Sequence, residues 1–376
     1  MSRLSNARKN RVFSGHPLWL ALIVAGVAAL VLNFALRLWP WGAEYLFARG
    51  IGRWATYLVA GLTQIFPFSL GEILLLIAAL GALPFIVGSI VFICKTSNEK
   101  AVGHLLRAVS GVLAVLMILY LLLLGANHSR YTVAENLDMD TSSPLSEQDL
   151  YQTALWLLEE SGELAAGITV SEKGSQLPLG FYETAEMVQQ GYDVIVKDMP
   201  FLSPLRTRPK PVWLSDLMAH TMISGIFTPY TGESNVNTSF PAFTIPATMA
   251  HELAHQRGIA REDEANFIAF LACIHSPDDY VRYSGYMSVL IYVLNDLYDS
   301  SSSLYKQAME TRSPKLRTEL AAYNAYLKQF EGGTAEKVSS SINNAYLQAQ
   351  GQKDGVLSYG NVTQWAVRWF LTLQIH

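Results

Sequence analysis

The stretch His251-Glu252-Leu253-Ala254-His255, followed by Gly258 and then Glu262-Asp263-Glu264-Ala265-Asn266, decides how the second half of this chain folds. Residues four apart lie on one face of a helix, so His251 and His255 turn their imidazoles toward a common point, as a shared metal ion requires. Glu252, one position round, reaches a water on such an ion without ligating it. Three protein ligands with a fourth position open is the arrangement of catalytic zinc, whose bound water is a nucleophile near neutral pH. The competing reading is two unrelated histidines on an alanine-rich helix.

A third ligand has to come from a second element folded back on the first. Gly258 supplies the turn, and a new helix from about Arg261 to Ile274 opens on acids. Glu262 and Glu264 stand about 200° apart around that helix, so one of them faces the metal. Glu262 shares its face with Ala265, Asn266, Ala269 and Cys273, mostly small side chains that admit a neighbouring helix closely. Glu264 shares its face with Phe267, Ile268, Leu271 and His275, a bulkier surface suited to core. Glu262 is therefore the expected ligand, with Glu264 as the alternative. Asn266, one turn beyond Glu262, is placed to fix the tautomer of a ligand histidine from behind. Acids at a helix N-terminus are also favoured by the helix dipole alone.

Upstream, the texture between Lys210 and Pro246 is of short apolar pieces among Gly, Pro, Asn and Thr. Gly232-Glu233-Ser234-Asn235-Val236-Asn237 reads as a short edge strand. Asn235 and Asn237 on it are candidates to bind an extended peptide by β-addition. Pro246 suits the first turn of the helix that runs to Arg257. Leu145 to Glu159 predicts a helix capped by Ser143 or Ser146, Lys173 to Tyr182 a loop, and Glu183 to Gln190 a short helix stopped by Gly191. Beyond Gly285 further helices follow, broken at 300–303 and at Gly332-Gly333. Trp365 to Leu373 is apolar but too short to span a membrane.

The first third has another character. The chain is 51% hydrophobic and 15% charged, and most of the excess sits there. Spans are predicted at 17–38, 70–94 and 105–125, each about long enough for ~30 Å of hydrocarbon. The apolar stretch 54–66, preceded by Arg49 and Arg53, is too short to span and predicts a helix lying in the interface. Glu72 at the mouth of the second span reads as interfacial. Arg3, Arg8, Lys9 and Arg11 before the first span, and Lys95, Lys100 and Arg107 around the second loop, are expected on the cytoplasmic side. A membrane domain of residues 1–130 would then carry an extracytoplasmic domain of residues 131–376. Cys94 and Cys273 fall in different domains, and an exported domain without a disulfide points to a bacterium. The net charge of −4, with no basic cluster after the spans, argues against a nucleic-acid partner.

The pairing of the HELAH turn with Glu262-Asp263-Glu264-Ala265-Asn266 resembles the gluzincin type of zincin metallopeptidase, in which HExxH is followed by a glutamate ligand opening an E-x-x-x-D or E-x-x-x-N stretch. The longer string from Gly232 to Phe267, with Tyr283-Ser284-Gly285-Tyr286 and the late Tyr346-Leu347, Gly351-Gln352-Lys353-Asp354-Gly355-Val356 and Ser358-Tyr359-Gly360, is similar to an uncharacterised family of bacterial integral membrane proteins with a zincin-like domain. The step of seven from His255 to Glu262 is shorter than in ordinary gluzincins. It is nearer that of metzincins, whose third histidine would fall at Arg261.

The resemblance implies a mainly α fold with a small β component, three transmembrane helices and a zincin-like metallopeptidase domain. It also implies Zn2+ as cofactor and a peptide or protein substrate. The expected chemistry is amide hydrolysis with Glu252 as general base and a further donor for the oxyanion. Tyr283 is the first choice for that donor, ahead of Tyr286, Tyr230 and His275. The competing function is a zinc-holding membrane sensor or scaffold without turnover.

Overall fold

A computed structural model describes residues 17–96, 99–353 and 355–375. The basic tail with Arg3, Arg8, Lys9 and Arg11 lies outside the described residues. The described chain is mainly helical, with five very short strands. Three helices are long and apolar enough to cross a membrane: Pro17–Leu38, Leu70–Lys95 and Ala101–Leu123.

Helix α1 (Pro17–Ala35) is prolonged by a 3-10 turn over Leu36–Leu38. An irregular helical stretch kinked at Gly50 leads into α2 (Gly52–Thr63), then α3 (Leu70–Lys95) and α4 (Glu99–Leu123). The last begins earlier than its apolar run, because helix propensity continues through the polar first turn. It ends at Leu123, where Gly125 opens a 3-10 turn. Helices α1 and α4 run in parallel. Trp19 donates to the Arg107 carbonyl, the Gly26 backbone lies against Ala114, and Gly125 against Asn33. In α3 only Gly71 is buried.

Helix α2 occupies the stretch expected at the interface, and its two faces differ. Gly52, Thr56, Ala60 and Thr63 are buried, while Trp54, Leu58 and Leu62 are exposed. Small residues on the inner face permit close contact: Gly52 abuts the Leu122 carbonyl, and Ala60 abuts Gly232.

The remainder folds around one core. Ser146 and Asp149 close a capping box at the start of α5 (Glu147–Ala166). A two-residue hairpin follows, β1 (Val170–Ser171) against β2 (Gly174–Ser175), where a loop was expected. Helix α6 (Phe181–Ile195) passes straight through Gly191. That glycine was read as a stop, but its role is close approach: a Cβ there would fall 1.9 Å from the Ala272 carbonyl oxygen.

Three strands come next, β3 (Lys210–Pro211), β4 (Gly225–Thr228) and β5 (Glu233–Val236), in the order β3-β5-β4. The strand expected at the sheet edge is therefore the central one. Its second partner, β3, is only two residues long and contains a proline, so it carries no alternating pattern to announce it. Strand β4, antiparallel to β5, is one of the two edges.

Then come α7 (Thr244–Gln256), α8 (Glu262–Ile274), α9 (Asp279–Ser300), α10 (Ser302–Thr311), α11 (Pro314–Leu327), α12 (Thr334–Ala349) and α13 (Val362–Ile375). Helix α8 is the axis of the core, buried on nearly every side through Ala265, Phe267, Ile268, Phe270, Leu271 and Cys273. The apolar segment around Trp365 packs onto this core through Val362, Ala366 and Phe370. Cys94 and Cys273 are both free.

Candidate metal centre

Helices α7 and α8 meet at the tight turn where Gly258 takes φ +96°, a backbone region that disfavours any side chain with a Cβ. That turn brings Glu262 back onto the face of α7 that carries the histidines. His251 Nε2 and His255 Nε2 stand 3.0 Å apart. Glu262 Oε2 lies 3.1 Å from the first and 3.3 Å from the second. Donors ~2.0–2.1 Å from one tetrahedral ion are separated by about 3.3 Å, so the three atoms have the spacing that a four-coordinate metal imposes. Among the described residues this is the one cluster of three or more His, Cys, Asp or Glu arranged to hold an ion.

The electrostatics follow from burial. Desolvation opposes charge on His255, but the Glu262 carboxylate outweighs it and raises His255 to about 9. Burial likewise opposes charge on Glu262, and the two histidines more than offset it, holding that carboxyl well below the usual range. His255 Nδ1 is 2.7 Å from the Ile259 carbonyl, which fixes the tautomer that leaves Nε2 directed at Glu262 and His251.

Glu252 is buried beside them, and desolvation raises its carboxyl to about 7. The Phe227 backbone N–H donates to it. Its Oε2 has no hydrogen-bond partner in the protein. Strand β4 closes over this carboxylate. A Cβ on Gly225 would lie 2.4 Å from Glu252 Oε1. The Phe227 ring stacks on His255 with centroids 6.4 Å apart. From β5, Ser234 donates to the Glu252 carbonyl at 2.9 Å and anchors the helix to the sheet.

The other residues singled out in the sequence are placed as follows. Glu264 turns away to a 3.0 Å ion pair with Arg261 and accepts from the Val133 N–H. Asn266 hydrogen-bonds the Tyr292 hydroxyl, so the Ile259 carbonyl is the group behind His255. Tyr283 is fully buried and its hydroxyl donates to Glu319 at 3.3 Å, which turns it into the core rather than to the histidines. Asn235 is buried on the central strand, where its amide donates to the Ile226 and Glu233 carbonyls and to Thr228 Oγ1. Asn237 donates to Ile223 and accepts from the Ser239 N–H. These two asparagines brace the β4–β5 sheet and its flanking loop instead of presenting an edge to a peptide.

Two residues to which the sequence reading gave no role stand close to the cluster. His128 lies near enough to Glu262 and His255 to feel their charges. Burial and then Arg261 push it down to about 3, so it is neutral. Its Nε2 is 3.2 Å from the Tyr346 hydroxyl, and burial raises Tyr346 well above the ordinary phenol range. Nothing local marks either residue, because one follows α4 and the other sits in α12, far along the chain from the HELAH turn.

A family model described as a protein of unknown function, DUF3810, matches residues 47–367, most of the chain. No curated protein and no solved structure matches it.

Proposed function

The chain belongs to the DUF3810 family, which is described as of unknown function; from the geometry of the site we propose that it is a membrane-anchored zinc metallopeptidase with a zincin-like catalytic domain. In this reading the three apolar helices cross a bacterial membrane and residues 131–376 lie on its extracytoplasmic side. The observation that carries the proposal is the convergence of His251, His255 and Glu262 at tetrahedral spacing beside a buried Glu252 with an unpartnered oxygen.

His251 and His255 through Nε2, and Glu262 through Oε2, would hold the ion. Zinc supplies, when bound, a water acidic enough to attack at neutral pH and a Lewis acid for the scissile carbonyl. Glu252, raised to about 7 by burial, accepts the proton of the attacking water and passes it to the leaving amide nitrogen. Neutral His128 and the Tyr346 hydroxyl are the donors available to the developing oxyanion, in the role first considered for Tyr283. In this reading β4, which has a strand neighbour on one side only, replaces Asn235 and Asn237 as the place where an extended peptide adds, beside Glu252.

Glu252→Gln tests the assignment. Cleavage of a mixed-sequence peptide library should disappear while zinc stays bound. Persistence of cleavage at the wild-type rate would remove Glu252 from the reaction. A zinc-holding sensor without turnover predicts no cleavage by the wild type at all.

A further inference from the structure

We infer that the substrate is a polypeptide held at the membrane surface and cut within a few residues of where it leaves the bilayer. The inference rests on the peptidase reading above. Two of the apolar spans end directly on the elements that carry the site. On one side, α3 begins against β4: Gly71 in its first turn abuts Thr228, and the Leu70 and Gly71 N–H groups donate to Glu233 at 3.1 and 2.7 Å. Glu233 pairs in register with Thr228 and is neutralised by buried Lys210. On the other side, His128 lies five positions beyond the end of α4 at Leu123. Arg261 holds the His128 carbonyl at 3.2 Å, and Arg130 holds the carbonyl of Gly258, in the turn between the ligands, at 3.0 Å.

The metal cluster is thus bracketed by the ends of α3 and α4 on the same face of the membrane region. At ~1.5 Å per residue, the apolar body of α3 starts about one turn, ~5 Å, from the contact with β4. The surface near β4 has the composition of a membrane interface. Trp54, Leu58 and Leu62 project from α2, the helix that packs on Gly232 in the β4–β5 turn. Trp213, and Leu217 on the short helix Ser215–Ala219 that follows it, are exposed by more than 60%, and Glu72, in the first turn of α3, accepts from the Trp213 and Leu214 N–H groups. Tryptophans and amphipathic helices of this kind settle at headgroup level. Lipid covering these side chains places the free edge of β4 at that level too. A chain rising from the bilayer reaches this edge directly, whereas a folded soluble protein meets the headgroups first.

The test uses the full-length protein in lipid nanodiscs. The probe is a randomised ten-residue segment presented in three forms: directly after a Leu/Ala transmembrane helix in the same disc, behind a ~40-residue Gly/Ser spacer (about 35 Å root-mean-square reach), and free in solution. Cleavage is followed by mass spectrometry. The spacer form matches the local concentration of the short form closely enough to separate position from tethering. Cleavage of the short form at least about tenfold faster than both others is expected. Equal rates for short and long forms, or a preference for the free segment, would overturn the inference while leaving the peptidase intact. Absence of cleavage in all three by zinc-loaded protein would overturn the peptidase reading itself, and this inference with it.

Discussion

Gly225→Ala is the substitution that isolates the geometry of Glu252. Gly225 has no side chain to ligate a metal or take part in the reaction, and its missing Cβ is what lets β4 lie over the carboxylate. A methyl there would meet Glu252 Oε1 at 2.4 Å, Thr248 Cγ2 at 2.7 Å and Glu252 Cγ at 2.8 Å, where ordinary contact begins at 3.4 Å. Something must give by about 1 Å. The backbone of β4 is fixed by its ladder to β5, so the Glu252 side chain is the softer partner. A misplacement of ~1 Å of a group in the reacting constellation costs on the order of 10²-fold in rate. The alanine variant should therefore lose about a hundredfold in kcat/KM on the peptide library and keep its zinc. Its thermal unfolding should fall by no more than the few degrees that ~1–2 kcal/mol of overpacking implies. Full activity in a folded Gly225→Ala protein would refute the reasoning, since it would mean that the position of Glu252 does not matter to the reaction.

Two further outcomes follow from the surroundings of the site. Tyr346→Phe removes the hydroxyl facing His128 and should lower kcat by about 10²-fold with unchanged zinc content, as expected for loss of an oxyanion donor. A zinc-free Tyr346→Phe protein, or one with wild-type kcat, would contradict the assignment. The second concerns Glu44, buried with Arg130 and Arg49 at 2.6 Å each. Burial works to raise its carboxyl, but the two guanidinium groups prevail and hold it below the ordinary 4.5. The folded value lies below the unfolded one, so the stabilisation is whole above about pH 4.5 and is lost as pH falls toward the folded value. Arg130→Met should cost up to about 3 kcal/mol at neutral pH by leaving this buried carboxylate with Arg49 alone, and should weaken the acid dependence of Tm in detergent. A variant with the wild-type Tm at pH 7 would rule out that role for the pair.

What the sequence made legible was local. The HELAH face, the Gly258 turn and the placing of Glu262 rather than Glu264 beside the histidines depend on helical periodicity within about fifteen residues, and the three long apolar helices depend on composition alone. The reading went astray where the deciding contact came from elsewhere in the chain. Gly191 looked like a helix stop because glycine usually is one, but the Ala272 backbone presses on it from α8. The 232–237 strand looked like an edge because β3 is two residues long. Asn266 and Tyr283 had plausible spacing, yet Tyr292 and Glu319 engage them instead. The group behind His255 is a backbone carbonyl, which no side-chain pattern reveals. His128 and Tyr346 meet across 218 positions of sequence, and only the packing of α12 against the end of α4 brings them together.

The central claim is that His251, His255 and Glu262 hold a zinc ion. Metal analysis of the purified full-length protein tests it directly, with wild type compared to Glu262→Ala and Glu264→Gln. Roughly one zinc per chain is expected in wild type and in Glu264→Gln, and none in folded Glu262→Ala. Wild-type protein that neither carries zinc nor takes it up, or Glu262→Ala protein that keeps it, would contradict the account.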